Sequence, residues 1–328
     1  MKSNNQLLRL MNLPIFSNEE ELASLIHVDS KKIKLFSTFP HRYYKKYKVK
    51  KSNGGFREIK QPTKDLKGIQ AWILRNILDK LSPSTYAIAY VKKKNIADNV
   101  SPHSINRYFI CLDIEDFFPS ISIRRVAKVF STIGYSRKEA SILAKLCTCN
   151  GGLIYRRVFH PTFDGNLPQG AVTSPSLSNL IAAKLDRRIA GYISRRNIVF
   201  TRYADDMTLS SNNYRTLCQS LEIVLKIIKS EHFKPNVNKL RVLGPRRRCY
   251  ITGLVKDSSE SKFGIGRRKK KHMRAVMHHH VFKLSEDKKY RNRESILGWL
   301  NYLRAVDKGS YEQMNSYWNR LWSKSKSI

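Results

Sequence analysis

Acidic residues are scarce in this chain. Only 25 Asp and Glu stand against 62 Lys and Arg, a net charge of +37. Self-repulsion on that scale opposes compaction, so the natural partner is a neutralising polyanion, either nucleic acid or an anionic membrane surface. Long apolar runs are missing too: none approaches the ~20 residues that a membrane-crossing helix needs. Met1-Lys2-Ser3-Asn4-Asn5-Gln6 lacks the apolar core of a signal peptide. These absences favour nucleic acid, argue for no membrane partner and predict a cytoplasmic chain. Cysteines number five, without framework spacing, which excludes a disulfide scaffold and suits a reduced interior. Neither Cys147-Thr148-Cys149 nor His278-His279-His280 has a second ligand pair at zinc-site spacing, so zinc is not expected. Internal repeats and low-complexity tracts are absent.

What is present is material for a core. Hydrophobic residues make up 41% of 328, enough for two packed units at ~100–200 residues per domain. Short helices are expected up to residue 40, one capped by Ser17 and Glu20 in capping-box register. Tyr47-Lys48-Val49 and Phe56-Arg57-Glu58-Ile59 flank Ser52-Asn53-Gly54-Gly55, a hairpin signal. Helical spacing predicts helices over 66–81, 136–149, 177–193 and 217–228. Beyond about residue 245 positive charge concentrates in Arg246-Arg247-Arg248 and Arg267-Arg268-Lys269-Lys270-Lys271. A final helix there places Ile296, Trp299, Leu300, Leu303 and Val306 on one face. The expected division is 1–245 and a smaller, basic, helical 246–328.

Two acidic strand ends carry the chemistry. Tyr203-Ala204-Asp205-Asp206 lies between a mostly apolar run and the uncharged run Met207 to Ser211, which reads as a hairpin with carboxylates at its tip. Such a pair repels itself unless a cation sits beside it, commonly a divalent ion. Alone, an Asp-Asp turn is more often simply solvated. Asp113, closing the run Tyr108-Phe109-Ile110-Cys111-Leu112, is a second acidic strand end. A sheet joining both ends would gather three carboxylates, enough for two Mg²⁺ ions ~3.5–4 Å apart. Glu115 and Asp116 compete for that role and are read instead as solvent-facing or paired with Arg124 and Arg125.

Five motifs in order across residues 47–255 resemble those of the reverse transcriptases. They are Arg57 to Pro62, Asp113 with Phe118, Leu167-Pro168-Gln169-Gly170-Ala171 with Ser174-Pro175, the Tyr203 to Asp206 hairpin, and Lys239. Asn99-Val100-Ser101-Pro102-His103 and Ile251-Thr252-Gly253 are similar to the Asn-Ala-x-x-His and Val-Thr-Gly elements of bacterial retron enzymes, each with one apolar replacement.

The resemblance implies an α+β right-hand polymerase, with fingers and an antiparallel-sheet palm in 1–245 and a helical RNA-binding thumb in 246–328. It implies RNA-directed DNA synthesis from dNTPs with two Mg²⁺, and Asp113, Asp205 and Asp206 as catalytic metal ligands, Asp206 either ligating or orienting. Arg57 would grip the triphosphate through a bidentate fork, and Phe118 would sit under the deoxyribose and exclude a 2′-OH. Gln169 would contact nucleotide or template, with Gly170 permitting close approach; Lys239 would donate a proton to pyrophosphate. Asn99, His103, Thr252, Gly253, Arg267, Arg268 and Lys269 would serve RNA binding, His103 at most by positioning; Tyr290, Trp299 and Tyr302 allow stacking on unpaired bases, though most of them are expected to pack the helix instead. The implied partners are a cognate noncoding RNA, its branched RNA–DNA product (msDNA), and an effector protein encoded nearby in antiphage defence. A group II intron-type enzyme would need room for further domains after the thumb, and a diversity-generating type is disfavoured by the ordinary loop at Gln169-Gly170 and Ser174-Pro175. A non-catalytic RNA-binding scaffold predicts erosion of at least one carboxylate, and all three are present.

Overall fold

The computed structural model describes residues 3–51, 54–150, 165–245, 247–256, 262–282 and 286–325. Ser52 and Asn53 of the expected turn, Arg246 and the side chain of Tyr290 lie outside them. The chain forms two compact units that interleave: residues 1–91, 114–189 and 226–235, and residues 92–113, 190–225 and 236–328. Neither unit ends at residue 245.

The first unit is helical, with one long hairpin. Tyr44–Lys50 pairs antiparallel with Phe56–Pro62, longer on both sides than expected, in the register Tyr44↔Pro62 to Lys50↔Phe56. The helix Lys64–Asn76 buries Leu66, Ile69 and Ile73, and a 3₁₀ turn at Leu78–Lys80 replaces the continuous helix expected to 81. Arg137–Cys147 begins with the expected capping box, Ser136 and Glu139 bonding reciprocally. The expected Ser17–Glu20 box shifts by one residue. Asn18 caps Glu19–Ile26 through its side chain, and Glu21 returns a bond to the Ser17 N–H. Ser174–Ile193 takes Ser174 and Pro175 into its first turn rather than starting after them, a position where proline's missing N–H costs nothing.

The second unit is built on a four-stranded antiparallel sheet in the order Val199–Tyr203, Asp206–Ser211, Tyr108–Asp113, Arg241–Leu243. Phe109 and Cys111 share one core with Met273, Met277, Val281, Ile296, Leu300 and Leu303 from the C-terminal helices. The helix Glu286–Val306 is not the last, because Lys308–Ser325 follows it and buries Met314, Trp318 and Leu321. Trp299 and Tyr302 pack against this core, as expected of most of the aromatics there. His280 is fully buried beside Trp318 and Trp322, and none of the five cysteines forms a disulfide.

Candidate active site

Strand register assembles the carboxylates. Asp113 lies directly opposite Asp206 in the antiparallel pair, so strand alternation puts both on one sheet face. Tyr203 pairs with Asp206, leaving Ala204-Asp205 as a two-residue connection. Ala204 holds φ 58, a left-handed conformation rare outside glycine and asparagine and typical of strained functional turns.

The Asp206 carboxyl is pushed up to about 6, first by the protein packed around it and then by the charges of Asp205 and Asp113. Its side chain remains open to solvent, so repulsion between the carboxylates is the firmer of the two causes. Lys239 and Arg241 pull in the opposite sense without cancelling it.

Asp113 is buried and held at both oxygens. Lys239 Nζ donates to Oδ1 at 2.9 Å, Asn236 Nδ2 donates to Oδ2 at 3.1 Å, and the Asn236 N–H donates to the Asp113 carbonyl at 2.8 Å. The ammonium of Lys239 is shifted upward, chiefly by its hydrogen bond to Asp113. Lys239 is half exposed, 52%, and solvent screening keeps such a pair near ~1 kcal/mol. Asn236 and Arg241 were absent from the sequence reading. Arg241 is the Cα partner of Cys111, on the face that bears Asp113. Its signal was period-two spacing with Leu243, whereas Asn236 left none.

Among the described residues, no three His, Cys, Asp or Glu side chains are closed into a coordination cage. The donor set nevertheless fits a hard divalent cation. Three oxygen-bearing carboxylates repel one another enough to raise Asp206, and the two nearby cations leave that repulsion only partly met. The Asp113 carboxylate, paired with Lys239 and Asn236, still keeps free lone pairs. Glu115 is no competitor: it pairs with Lys234 at 2.7 Å, not with Arg124 or Arg125. Arg125 lies over the Phe233 ring.

Arg57, Phe118 and Gln169 belong to the first unit. Arg57 is exposed on the hairpin opposite Val49. Lys60 donates its N–H to the Gln169 carbonyl at 2.7 Å, tying the hairpin to the Pro168-Gln169-Gly170 loop. Gly170 has φ 122, and a Cβ there would stand 3.0 Å from the Lys60 carbonyl and 3.1 Å from Ile59. The close approach that glycine permits is thus to the hairpin backbone. Phe118 is half-buried, with Tyr90 and Phe117 at ring separations of 6.3 and 5.6 Å.

The two short elements on either side of the hairpin meet. Asn99 Nδ2 lies 3.4 Å from Thr252 Oγ1, and Lys269 Nζ donates to the Gly253 carbonyl at 3.0 Å. Thr252 and Gly253, at φ 45 and 85, form the two-residue turn between Tyr250–Ile251 and Leu254–Lys256, where both central residues need positive φ. Arg267, Arg268 and Lys269 are exposed on the helix Gly266–Phe282.

Asn99 and His103 are buried, at 1% and 0% exposure, which fits a positioning role for His103. His103 is the centre of a polar lock. Thr201 Oγ1 donates to the Asn99 carbonyl, so one proton arrangement satisfies the rest: His103 Nε2–H donates to Thr201 Oγ1 at 2.9 Å, and Nδ1 accepts from Ser210 Oγ at 2.6 Å. Ser210 in turn accepts from Asn106 Nδ2 at 2.7 Å. Protonating Nδ1 breaks this chain, and burial lowers the ring to about 3. The unfolded chain takes up that proton below ~6.5 while the folded chain refuses it. Stability contributed at neutral pH is therefore lost as pH falls from about 6.5 toward about 3, at ~1.4 kcal/mol per pH unit. In chemical denaturation, the stability advantage of the wild type over His103→Gln shrinks at that slope. A gap constant from pH 7 to pH 4 would remove His103 as its cause.

Residues 49–263 match the family described as reverse transcriptase (RNA-dependent DNA polymerase). The chain is 37% identical over 321 residues to the Retron Ec86 reverse transcriptase of Escherichia coli, covering 97% of this chain and 93% of that one. The chain belongs to the retron reverse transcriptases. The enzyme is an RNA-directed DNA polymerase. It is also 29% identical to the Retron Mx65 reverse transcriptase of Myxococcus xanthus, over 92% of this chain and 71% of the relative. Among solved structures it is similar to telomerase from Candida albicans at a TM-score of 0.49 and 11% identity, over 87% of this chain and 59% of that one. Family membership follows from the sequence relatives. No described helix of this retron reverse transcriptase is long and apolar enough to cross a membrane.

Proposed function

We propose that this enzyme copies part of a cognate noncoding RNA into single-stranded DNA, beginning at a 2′-OH of that RNA and leaving a branched RNA–DNA product bound. The observation that carries the reading is the opposition of Asp113 and Asp206 beside Asp205. Asp113, Asp205 and Asp206 would hold two Mg²⁺, which when bound activate the attacking hydroxyl and stabilise leaving pyrophosphate. The protein's own groups do the rest. Lys239, kept protonated by Asp113, is the candidate proton donor to the leaving pyrophosphate. Arg57 donates to the triphosphate, Gln169 to nucleotide or template, and Phe118 lies beneath the sugar.

The reading takes 1–245 as fingers and palm and 246–328 as thumb. Arg267, Arg268 and Lys269 then lie on the RNA-binding surface together with the Thr252-Gly253 turn. Neutralising six phosphates gives a log–log salt slope of about −5. The enzyme acts in the cytoplasm with an effector protein in antiphage defence.

Nucleic acid purified with the full chain, from cells carrying the gene and its flanking DNA, tests this. RNA-linked DNA that loses its RNA to ribonuclease is expected, and DNA-free RNA, or no nucleic acid at all, would contradict it. Phe118→Ala should raise rNTP incorporation relative to dNTP by about 10- to 100-fold, the range for losing one steric or polar discriminator. Unchanged sugar selection would remove Phe118 from that role.

A further inference from the structure

A cavity of about 610 Å³ opens in the second unit, lined by Tyr108, Tyr214, Val242, Gly244, Pro245 and Arg247. It is not the carboxylate site. Tyr108 is the first residue of its strand and Asp113 the last. Alternation puts their side chains on opposite sheet faces, and the strand rise separates them by about 17 Å.

The lining has a consistent chemistry. The rings of Tyr108 and Tyr214 stand 5.3 Å apart and tilted, and Tyr214 is 52% exposed. Gly244 lies against the Tyr108 ring, where an added Cβ would come to 3.6 Å. Arg247 is exposed at the rim, and none of the described lining residues is acidic. Exposed Arg107 and Arg215 adjoin Tyr108 and Tyr214 in sequence, and the Arg107 N–H is fixed by Asn212 Oδ1 at 3.0 Å.

An open aromatic face beside a guanidinium, with no carboxylate to compete, is the recognition chemistry of an unpaired nucleotide: the base stacks and the phosphate meets the cation. We infer that this cavity holds an unpaired base of the RNA that the enzyme carries, stacked on Tyr214 with its phosphate on Arg247, on the sheet face away from the polymerising carboxylates. The inference rests on the RNA-binding reading above, and names a site for it.

The test uses the full chain and a fluorescent single-stranded oligouridylate, read by anisotropy across a salt series, with primer extension on a poly(rA)–oligo(dT) duplex as control. Tyr214→Ala should weaken oligouridylate binding about tenfold, within the range for losing one base–aromatic stack. Tyr214→Phe should retain it, and Arg247→Gln should flatten the salt slope by about 0.7. Extension should be unchanged in all three. If Tyr214→Ala and Arg247→Gln bind as the wild type does, while the wild type binds and extends, this inference fails and the reading of function stands. If the wild type neither binds RNA nor extends a primer, both fail. A Tyr214→Ala variant that keeps RNA affinity but loses a co-purifying protein overturns the RNA assignment in favour of a protein site.

Discussion

Asp113→Asn should lower DNA synthesis on an RNA template by at least about a thousandfold, a loss of ~4 kcal/mol of transition-state stabilisation, while the fold stays intact. The two halves of that expectation come from different contacts. Activity falls because an amide cannot replace a charged oxygen donor for a hard cation. Stability barely moves, because Asp113 takes part in opposing interactions. Its loss removes the pair with half-exposed Lys239, worth ~1 kcal/mol, and it also relieves repulsion on Asp206. The Asp206 carboxyl, pushed up to about 6 in the wild type, should titrate lower in the variant. Thermal unfolding and a pH titration alongside primer extension check all three. An inactive variant that is also unfolded, or an unshifted Asp206, would break the account of this site.

Gly170→Ala should be nearly as damaging, without touching a charge. Its φ of 122 is strained for any L side chain, and a Cβ would press to 3.0 Å on the Lys60 carbonyl. The Lys60–Gln169 hydrogen bond of 2.7 Å lies beside that contact, so relief comes by separating hairpin and loop. The strain is of order 1–3 kcal/mol at one residue, and a 1 Å displacement of a positioning loop can cost about a hundredfold in rate. The expected result is a stability loss of that size with kcat/KM for dNTP reduced about a hundredfold. Gly54, where an added Cβ meets nothing within 4 Å although φ is 87, supplies a strain-only comparison: Gly54→Ala should cost stability while leaving nucleotide use nearly untouched. Equal kinetic losses in both would show that strain alone, not the contact with Lys60, explains Gly170.

The carboxylates were legible in the sequence because strand ends announce themselves: an apolar run stops at a charge, and register does the rest. The capping box at Ser136 and Glu139 was legible for the same local reason. Ser17 and Asn18 are both good cap residues, so composition does not choose between them, and Glu21 decides for Asn18. The last helix had a signal that went unread, Met314, Trp318 and Leu321 at helical spacing. Asn236 was illegible, since its function depends on a turn folding back over Asp113, a tertiary contact with no sequence period. The short elements at Asn99–His103 and Thr252-Gly253 were visible as motifs but not as neighbours. Their meeting depends on the buried bond network around His103, Thr201 and Ser210.

The most direct test of the central claim is the double replacement Asp205→Asn with Asp206→Asn in the full chain, assayed for DNA synthesis on an RNA template and, in parallel, for RNA affinity. Synthesis should be abolished and RNA affinity retained. Unchanged synthesis in the double variant, with RNA still bound, would contradict the assignment of the site.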